Sequence, residues 1–222
     1  MEKSVLRCIL IDKTRFKDNS LIIRVLCSDG QFLSGIFFVK KGSPALNYLQ
    51  RYEANALLGD KVRFDDLNLL EKSAVNPEVL DQYFLLADLV RQIGEDANGT
   101  DLFYFLERKI DYFFSDYSPS FHVEFLIELI SLFGYIPEPG DASSYFDLRS
   151  GLFTVGVPSH SDYCLASIIN PAFHFSLGNT SFLRIRNAKE RSELFFILVR
   201  FLEIRKGVSI SLKSIDVLRD IR

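Results

Sequence analysis

Residues 21–40 read LIIRVLCSDGQFLSGIFFVK. Two runs rich in Ile, Val, Leu and Phe flank the turn tripeptide Ser28-Asp29-Gly30, the pattern of two strands with a tight connection. In the first run Leu21, Ile23, Val25 and Cys27 share one face by period-2 geometry, and Arg24 sits on the other. One face is core and the other is open to charge. Gly35 interrupts the second run where a strongly coiled sheet must bend, so it reads as a barrel kink or a bulge.

Working outward, residues 5–13 form a strand-like run ahead of the turn Asp18-Asn19-Ser20, and weaker strands cover 50–57 and 61–70, divided by Gly59-Asp60. Five short strands of this kind fit a small barrel, for which the OB-fold is the commonest five-stranded solution. After Asn76-Pro77 the period turns helical, with Leu80, Phe84, Ala87 and Ile93 on one stripe and Thr100-Asp101 offering a cap for a second helix. A third helix is punctuated by Ser118 as cap and Pro119 at its first position. It carries Phe121, Phe125, Leu129 and Leu132 on one face and stops at Gly134 and Pro137. Residues 138–160 are irregular, and the helical pattern resumes near Asp162. Asn187 with Glu190 resembles a capping box for a helix ending in Arg205-Lys206-Gly207, and a last short helix is expected over 212–221. The expected architecture is α+β: a five-stranded OB-fold barrel over 1–72, then an all-α helical domain over 73–222 with an irregular, metal-free insert at about 138–160.

The chain has 222 residues with 26 Lys or Arg and 29 Asp or Glu, and the net charge of −3 excludes a uniformly basic nucleic-acid coat. The charge is uneven. Residues 1–64 hold 11 Lys or Arg against 6 Asp or Glu, a net +5, and the remainder carries −8. A local basic face can bind phosphates despite an acidic remainder, because screening confines electrostatics to roughly 8–10 Å. Arg15 and Lys17 flank the first turn beside Lys13, Arg24 lies on the second strand, and Lys40-Lys41-Gly42 closes the third. In a barrel these cations can converge, with Phe32, Ile36 and Phe38 as stacking surfaces. The competing reading makes the lysines solvated edge charges that block strand-to-strand aggregation, and the Phe residues core. The 21 Phe against no Trp and one Met point to a core of rigid rings.

Cys8, Cys27 and Cys164 lie far apart without a CxxC, so neither a disulfide framework nor a four-cysteine zinc site is expected, and the compartment reads as reducing. The apolar run from Ile9 to Ile11 is too short for a signal peptide, and no stretch approaches the roughly 20 apolar residues of a membrane span. A cytoplasmic protein is expected. His122, His160 and His174 show no HxH or HxxxH spacing, and neither a GxGxxG nor a Walker loop is present. His160 and Cys164, four apart, are a candidate thiol dyad, against which a structural cysteine is the simpler reading.

Phe16-Lys17-Asp18-Asn19-Ser20-Leu21-Ile22-Ile23 leading to Gly30, Lys41-Gly42, Leu132-Phe133-Gly134-Tyr135-Ile136-Pro137 and Lys213-Ser214-Ile215-Asp216-Val217-Leu218 occur in an order that resembles the RecO family of recombination mediators over nearly the whole chain. Two departures stand out. Many RecO proteins carry a four-cysteine zinc site after the glycine-tyrosine-proline run, whereas residues 137–156 here contain no cysteine, so no metal or other cofactor is carried over. Residues 146–153 resemble the metal-free variant, in which an apolar hairpin takes that place. The segment after Gly42 is also poorer in Arg and Lys than in relatives.

The resemblance implies a non-enzymatic DNA-repair mediator of the cytoplasm and nucleoid. Such a protein binds single- and double-stranded DNA, anneals strands, and helps load RecA onto DNA covered by single-strand binding protein, together with RecR. Arg15, Lys17, Arg24, Lys40 and Lys41 are the expected DNA-binding residues. Phe195, Arg200 and Arg205 are the candidates for a pocket that takes the acidic, Phe-ended tail of single-strand binding protein. The rival reading is a protein-interaction scaffold whose barrel does not bind nucleic acid.

Overall fold

The computed structural model describes residues 2–40, 45–70, 80–115, 118–137, 143–176 and 187–212. Five strands come first: β1 (Glu2–Lys17), β2 (Ser20–Cys27), β3 (Phe32–Phe38), β4 (Arg51–Leu58) and β5 (Val62–Leu69). They lie in the order β1-β2-β3-β5-β4, and β4 pairs back onto β1, which closes the barrel. Every pairing is antiparallel except β3 with β5. β1 is longer than its expected span because two neighbours share it. Its first half pairs with β4 and its second with β2, and register shifts between Leu10 and Asp12 and between Arg15 and Lys17 bend it.

Gly35 carries no bulge, since its register with Ile23 is unbroken. It stands opposite Val62, whose carbonyl oxygen would lie 2.5 Å from a Cβ at this position. Gly35 therefore lets two backbones approach closely where the parallel pairing seals the barrel. Inside lie Cys8, Leu10, Ile23, Val25, Cys27, Phe37, Tyr52 and Phe64, as the alternation in β2 requires.

The outside of the barrel is partly covered as well. Ile9 and Leu26, paired in register, are fully buried although they alternate with the inward residues. α1 (Leu80–Ile93) packs on β1, and α2 (Gly99–Ser115) packs on β2. The start of α2 sits on the β2–β3 turn. A Cβ on Gly99 would fall 1.9 Å from the Gly30 carbonyl oxygen, and the Thr100 hydroxyl donates to the Asp29 carbonyl at 3.1 Å. Thr100 is thus used as a tie, and the cap expected at Thr100-Asp101 is instead Asn98, whose Oδ1 accepts from both their backbone N–H groups.

The chain forms two compact units, Met1–Tyr117 with Leu212–Arg222, and Ser118–Ser211. Strands give way to helices between Leu69 and Leu80, and the unit built on the barrel runs on through α2. The second unit holds α3 (Phe121–Leu132), β6 (Tyr145–Asp147), β7 (Leu152–Thr154), β8 (Tyr163–Leu165), α4 (Ala166–Ser176) and α5 (Ala188–Lys206). The part after the barrel is therefore not all-α. A three-stranded antiparallel sheet, β7-β6-β8, occupies the region expected to be irregular, and helix resumes at α4, a few residues past Asp162.

Its anchor is Phe146 of the central strand, fully buried with ring centroids 4.8, 5.2 and 5.5 Å from Phe153, Phe173 and Phe201. This cluster accounts for part of the unusual Phe content. α3 stops as expected: Gly134 has φ +74°, and the Tyr135 N–H reaches the Ile130 carbonyl at 3.1 Å. Its start is later than expected, because Ser118 Oγ accepts from Ser120 N in the preceding turn. At α5 the Asn187 side chain accepts from Glu190 N at 2.9 Å, and Gly207 takes φ 65°. The helix expected over 212–221 lies, from residue 213, outside the described residues. Among the described residues no helix is long and apolar enough to cross a membrane.

Candidate nucleic-acid interface

Because Ile23, Val25 and Phe37 point inward, Ser20, Ile22, Arg24 and Leu26 of β2 and Phe32, Ser34, Ile36 and Phe38 of β3 point outward. The registers arrange them in four rows: Lys17–Ser20–Phe38, Thr14–Ile22–Ile36, Asp12–Arg24–Ser34 and Ile9–Leu26–Phe32. The first two rows are open at Phe38 and Ile22, whereas Ser20 is buried. Phe38 is 51% and Ile22 41% exposed, and Phe16 beside Lys17 is 49% exposed. Lys17 Nζ lies 5.5 Å from the centre of the Phe16 ring. The Val39 N–H donates to the Asn19 carbonyl at 2.9 Å, which brings the end of β3 and Lys40 beside the β1–β2 turn.

Of the expected DNA-binding residues, Lys17, Lys40 and Arg24 fall on or beside this face. Arg24 is four residues along β2 from the Lys17 row, roughly 13 Å at the usual strand rise. Its guanidinium sits 5.1 Å over the Phe32 ring and forms an ion pair with Glu95. Partial burial lowers its pKa from the ordinary value, with Asp12 acting in the opposite sense. The group remains a cation, as arginine does in proteins. Lys40 pairs with Asp66 at 2.5 Å. Arg15 is paired in register with Leu21, on the inward-facing side of the ladder, and lies 3.7 Å from Asp18 with both side chains exposed, a contact of little energy. Lys41 lies outside the described residues. Phe32, Ile36 and Phe38 all share the outer face, and Phe38 is the most open of them.

Phe16 and Ile22 were not among the expected surface groups, although the period-2 rule already placed Ile22 opposite the core. Glu95 was not foreseen either. After α1, a 3-10 turn (Gly94–Asp96) packs against the barrel: a Cβ on Gly94 would touch Leu102, Val90 and the Phe32 ring. That packing delivers Glu95 to Arg24. The same logic recurs along α2, where Glu107 pairs with Arg7 and Asp111 with Arg51 at 2.7 Å. The expected separation of a basic barrel from acidic helices therefore does not hold in space. Residues 1–117 hold 15 Lys or Arg and 18 Asp or Glu, a net −3. A cleft lined by Arg7, Arg51, Glu53 and Leu70 is compensated in this way and offers no bare anion cradle.

In the second unit, Phe195 is 2% exposed with its ring 5.5 Å from His122, so it belongs to the core rather than to a pocket wall. Burial pushes the His122 pKa down to about 4, with Arg191 adding to it. Arg200 donates to Asp162 at 3.0 Å and to Glu203 at 3.2 Å, and Arg149 also donates to Asp162 at 2.8 Å. Those hydrogen bonds, Arg149 first, hold the Asp162 carboxyl below its ordinary range. Arg205 lies 5.3 Å over the Tyr135 ring, and Lys206 3.5 Å over Phe133. The three pocket candidates thus face different neighbours. The Phe133-Gly134-Tyr135 run was visible in the sequence as a motif, but not as a seat for cations.

His160 Nε2 faces Asp147 at 3.3 Å, and the Cys164 thiol is pushed up to about 12, chiefly by burial. The pair offers no thiolate at neutral pH. Among the described residues no three His, Cys, Asp or Glu side chains are grouped so as to hold a metal ion. No protein-family model matches the chain, and no curated protein is significantly similar to it in sequence.

Proposed function

We propose that the barrel is an OB-fold that binds single-stranded DNA along the outer face of β2 and β3, and duplex DNA more weakly through the same cations. The observation that carries this reading is the end of the outer face near the β1–β2 turn, where exposed Phe38 and Ile22 stand with exposed Phe16, Lys17 and Lys40 beside them. Aromatic and apolar groups stack on any base and the cations take phosphates, so the face suits a sequence-tolerant binder. The strand order 1-2-3-5-4 with a return to β1 supports the OB assignment, in which strands 2 and 3 and the adjoining turns form the binding surface.

On this reading the chain is a non-enzymatic recombination mediator of the RecO kind, acting in the cytoplasm at the nucleoid. It anneals strands and assists RecA loading with RecR on DNA coated by single-strand binding protein. The second unit serves protein partners, with Arg200 and Arg205 meeting an acidic tail. A hairpin anchored by Phe146 would take the place that zinc holds in many RecO proteins. A second reading, a scaffold whose barrel does not bind nucleic acid, draws on the pairing of Arg7, Arg24, Lys40 and Arg51 with carboxylates.

Fluorescein-labelled oligothymidine titrated at several salt concentrations separates the two. Engagement of Lys17, Arg24 and Lys40 gives a slope of log K against log salt of about −2, at about 0.7 per phosphate for single strands. A signal independent of salt, or none at low salt, leaves the scaffold.

A further inference from the structure

We infer that Glu95 is a built-in competitor of the nucleic-acid phosphate: it occupies Arg24 in the free protein and must yield that side chain before a strand can run the length of the β2–β3 face. This inference rests on the DNA-binding reading of that face and concerns its regulation. Arg24 stands at the border between the open rows and the covered ones. A strand lying across Phe38 and Ile22 toward the β2–β3 turn reaches Arg24 next, since residues 22 and 24 are successive outward positions on β2.

The competitor is held in place by packing. Gly94 seats the 3-10 turn against Phe32, Val90 and Leu102, and the neighbouring Ala97 N–H closes the turn on the Gly94 carbonyl at 3.1 Å. Glu95 is therefore positioned by buried neighbours while its own side chain remains 58% exposed. Arg24 is constrained on its other side by the Phe32 ring, so its fork is aimed and only 22% exposed. An aimed guanidinium bound to a solvent-accessible carboxylate can exchange that carboxylate for a phosphate without rebuilding the site, because both are bidentate acceptors of the same fork. Lys40 and Asp66 repeat the arrangement beside the open rows. Intrinsic affinity is thereby held down, and a phosphate contact at Arg24 is made only against competition.

The test compares wild type, Glu95→Gln, Arg24→Ala and the double variant on fluorescein-labelled oligothymidine across a salt series. Glu95→Gln is expected to tighten binding roughly three- to tenfold at low salt, because Arg24 then meets the phosphate without a competing carboxylate. The gain should vanish in the Arg24→Ala background. Asp66→Asn, which releases Lys40, supplies a second reading of the same expectation should Glu95→Gln disturb folding. Wild type and both carboxylate variants binding equally would overturn the competitor and leave the DNA-binding face standing. A gain that survives Arg24→Ala would also overturn it, since that is a general effect of removing negative charge. Absence of binding by every protein at low salt would remove the DNA-binding face and the competitor together.

Discussion

The two halves of the β2–β3 outer face are written in similar residues and put to different uses. Toward the β1–β2 turn, Ile22 and Phe38 stand 41% and 51% exposed, whereas at the other end Leu26 is fully buried and Phe32 is half-buried beside Gly94 and Arg24. The composition of the strands does not set this difference. Cover does: α2 and the 3-10 turn dock on one half through Gly30, Gly99 and Thr100, and bring carboxylates with them. An aromatic ring beside a cation is a building block under cover and, in the open, part of the surface proposed to bind DNA.

The largest effect should come from breaking the cover. Gly99→Ala puts a methyl group where the Gly30 carbonyl oxygen lies, 1.9 Å away, and is expected to destabilise the protein by about 3 kcal/mol or more. Urea denaturation reads this directly, and an unchanged midpoint would show that the turn and helix are not docked as described. A covered group in the second unit extends the comparison. His122, packed on Phe195, has its pKa lowered to about 4, against an unfolded value near 6.5. Between those values the unfolded chain binds a proton that the folded chain refuses, so stability falls as pH drops from 6.5 to 4 and levels below it, by up to about 3 kcal/mol. Denaturation midpoints across that window check the claim, and His122→Phe should flatten the curve.

Open groups should behave in the opposite way. Phe38→Ala is expected to weaken oligothymidine binding by about 1–3 kcal/mol, the usual value of one stacked base, and to move the denaturation midpoint little. A large loss of stability with unchanged binding would place Phe38 with the covered set. Lys17→Ala is the smallest effect: a severalfold loss of affinity at low salt and a salt slope shallower by about 0.7. An unchanged slope would take Lys17 out of contact with the strand.

The barrel strands were legible because period-2 alternation in residues 21–27 leaves one register compatible with a core. Gly35 was legible as special, though its reason is a close approach to Val62 of the neighbouring strand β5 rather than a bulge. The covered half was not foreseen, yet it leaves a trace: Ile9-Leu10-Ile11 and Val25-Leu26-Cys27 are apolar on both faces, which a strand needs only when both sides are buried. Which helix provides the cover is a long-range fact. It depends on Gly30 meeting Gly99, some 70 residues apart, and no local pattern encodes that. The same holds for Glu95, one of the carboxylates of residues 65–117 that take the net charge from +5 for residues 1–64 to −3 for residues 1–117. In the second unit the caps at Asn187 and Gly134 are local and were read correctly. For the sheet β7-β6-β8 the resemblance offered a hairpin over 146–153, but local pattern did not show its strands, because strands of three residues carry too little alternation to register.

The face itself is checked by ultraviolet cross-linking of oligothymidine to the protein at low salt, followed by peptide mapping. Cross-links are expected in the peptides that carry Phe16, Ile22 and Phe38, and are expected to be lost as salt is raised. Cross-links confined to residues 118–211, or spread evenly over the chain, would contradict binding there.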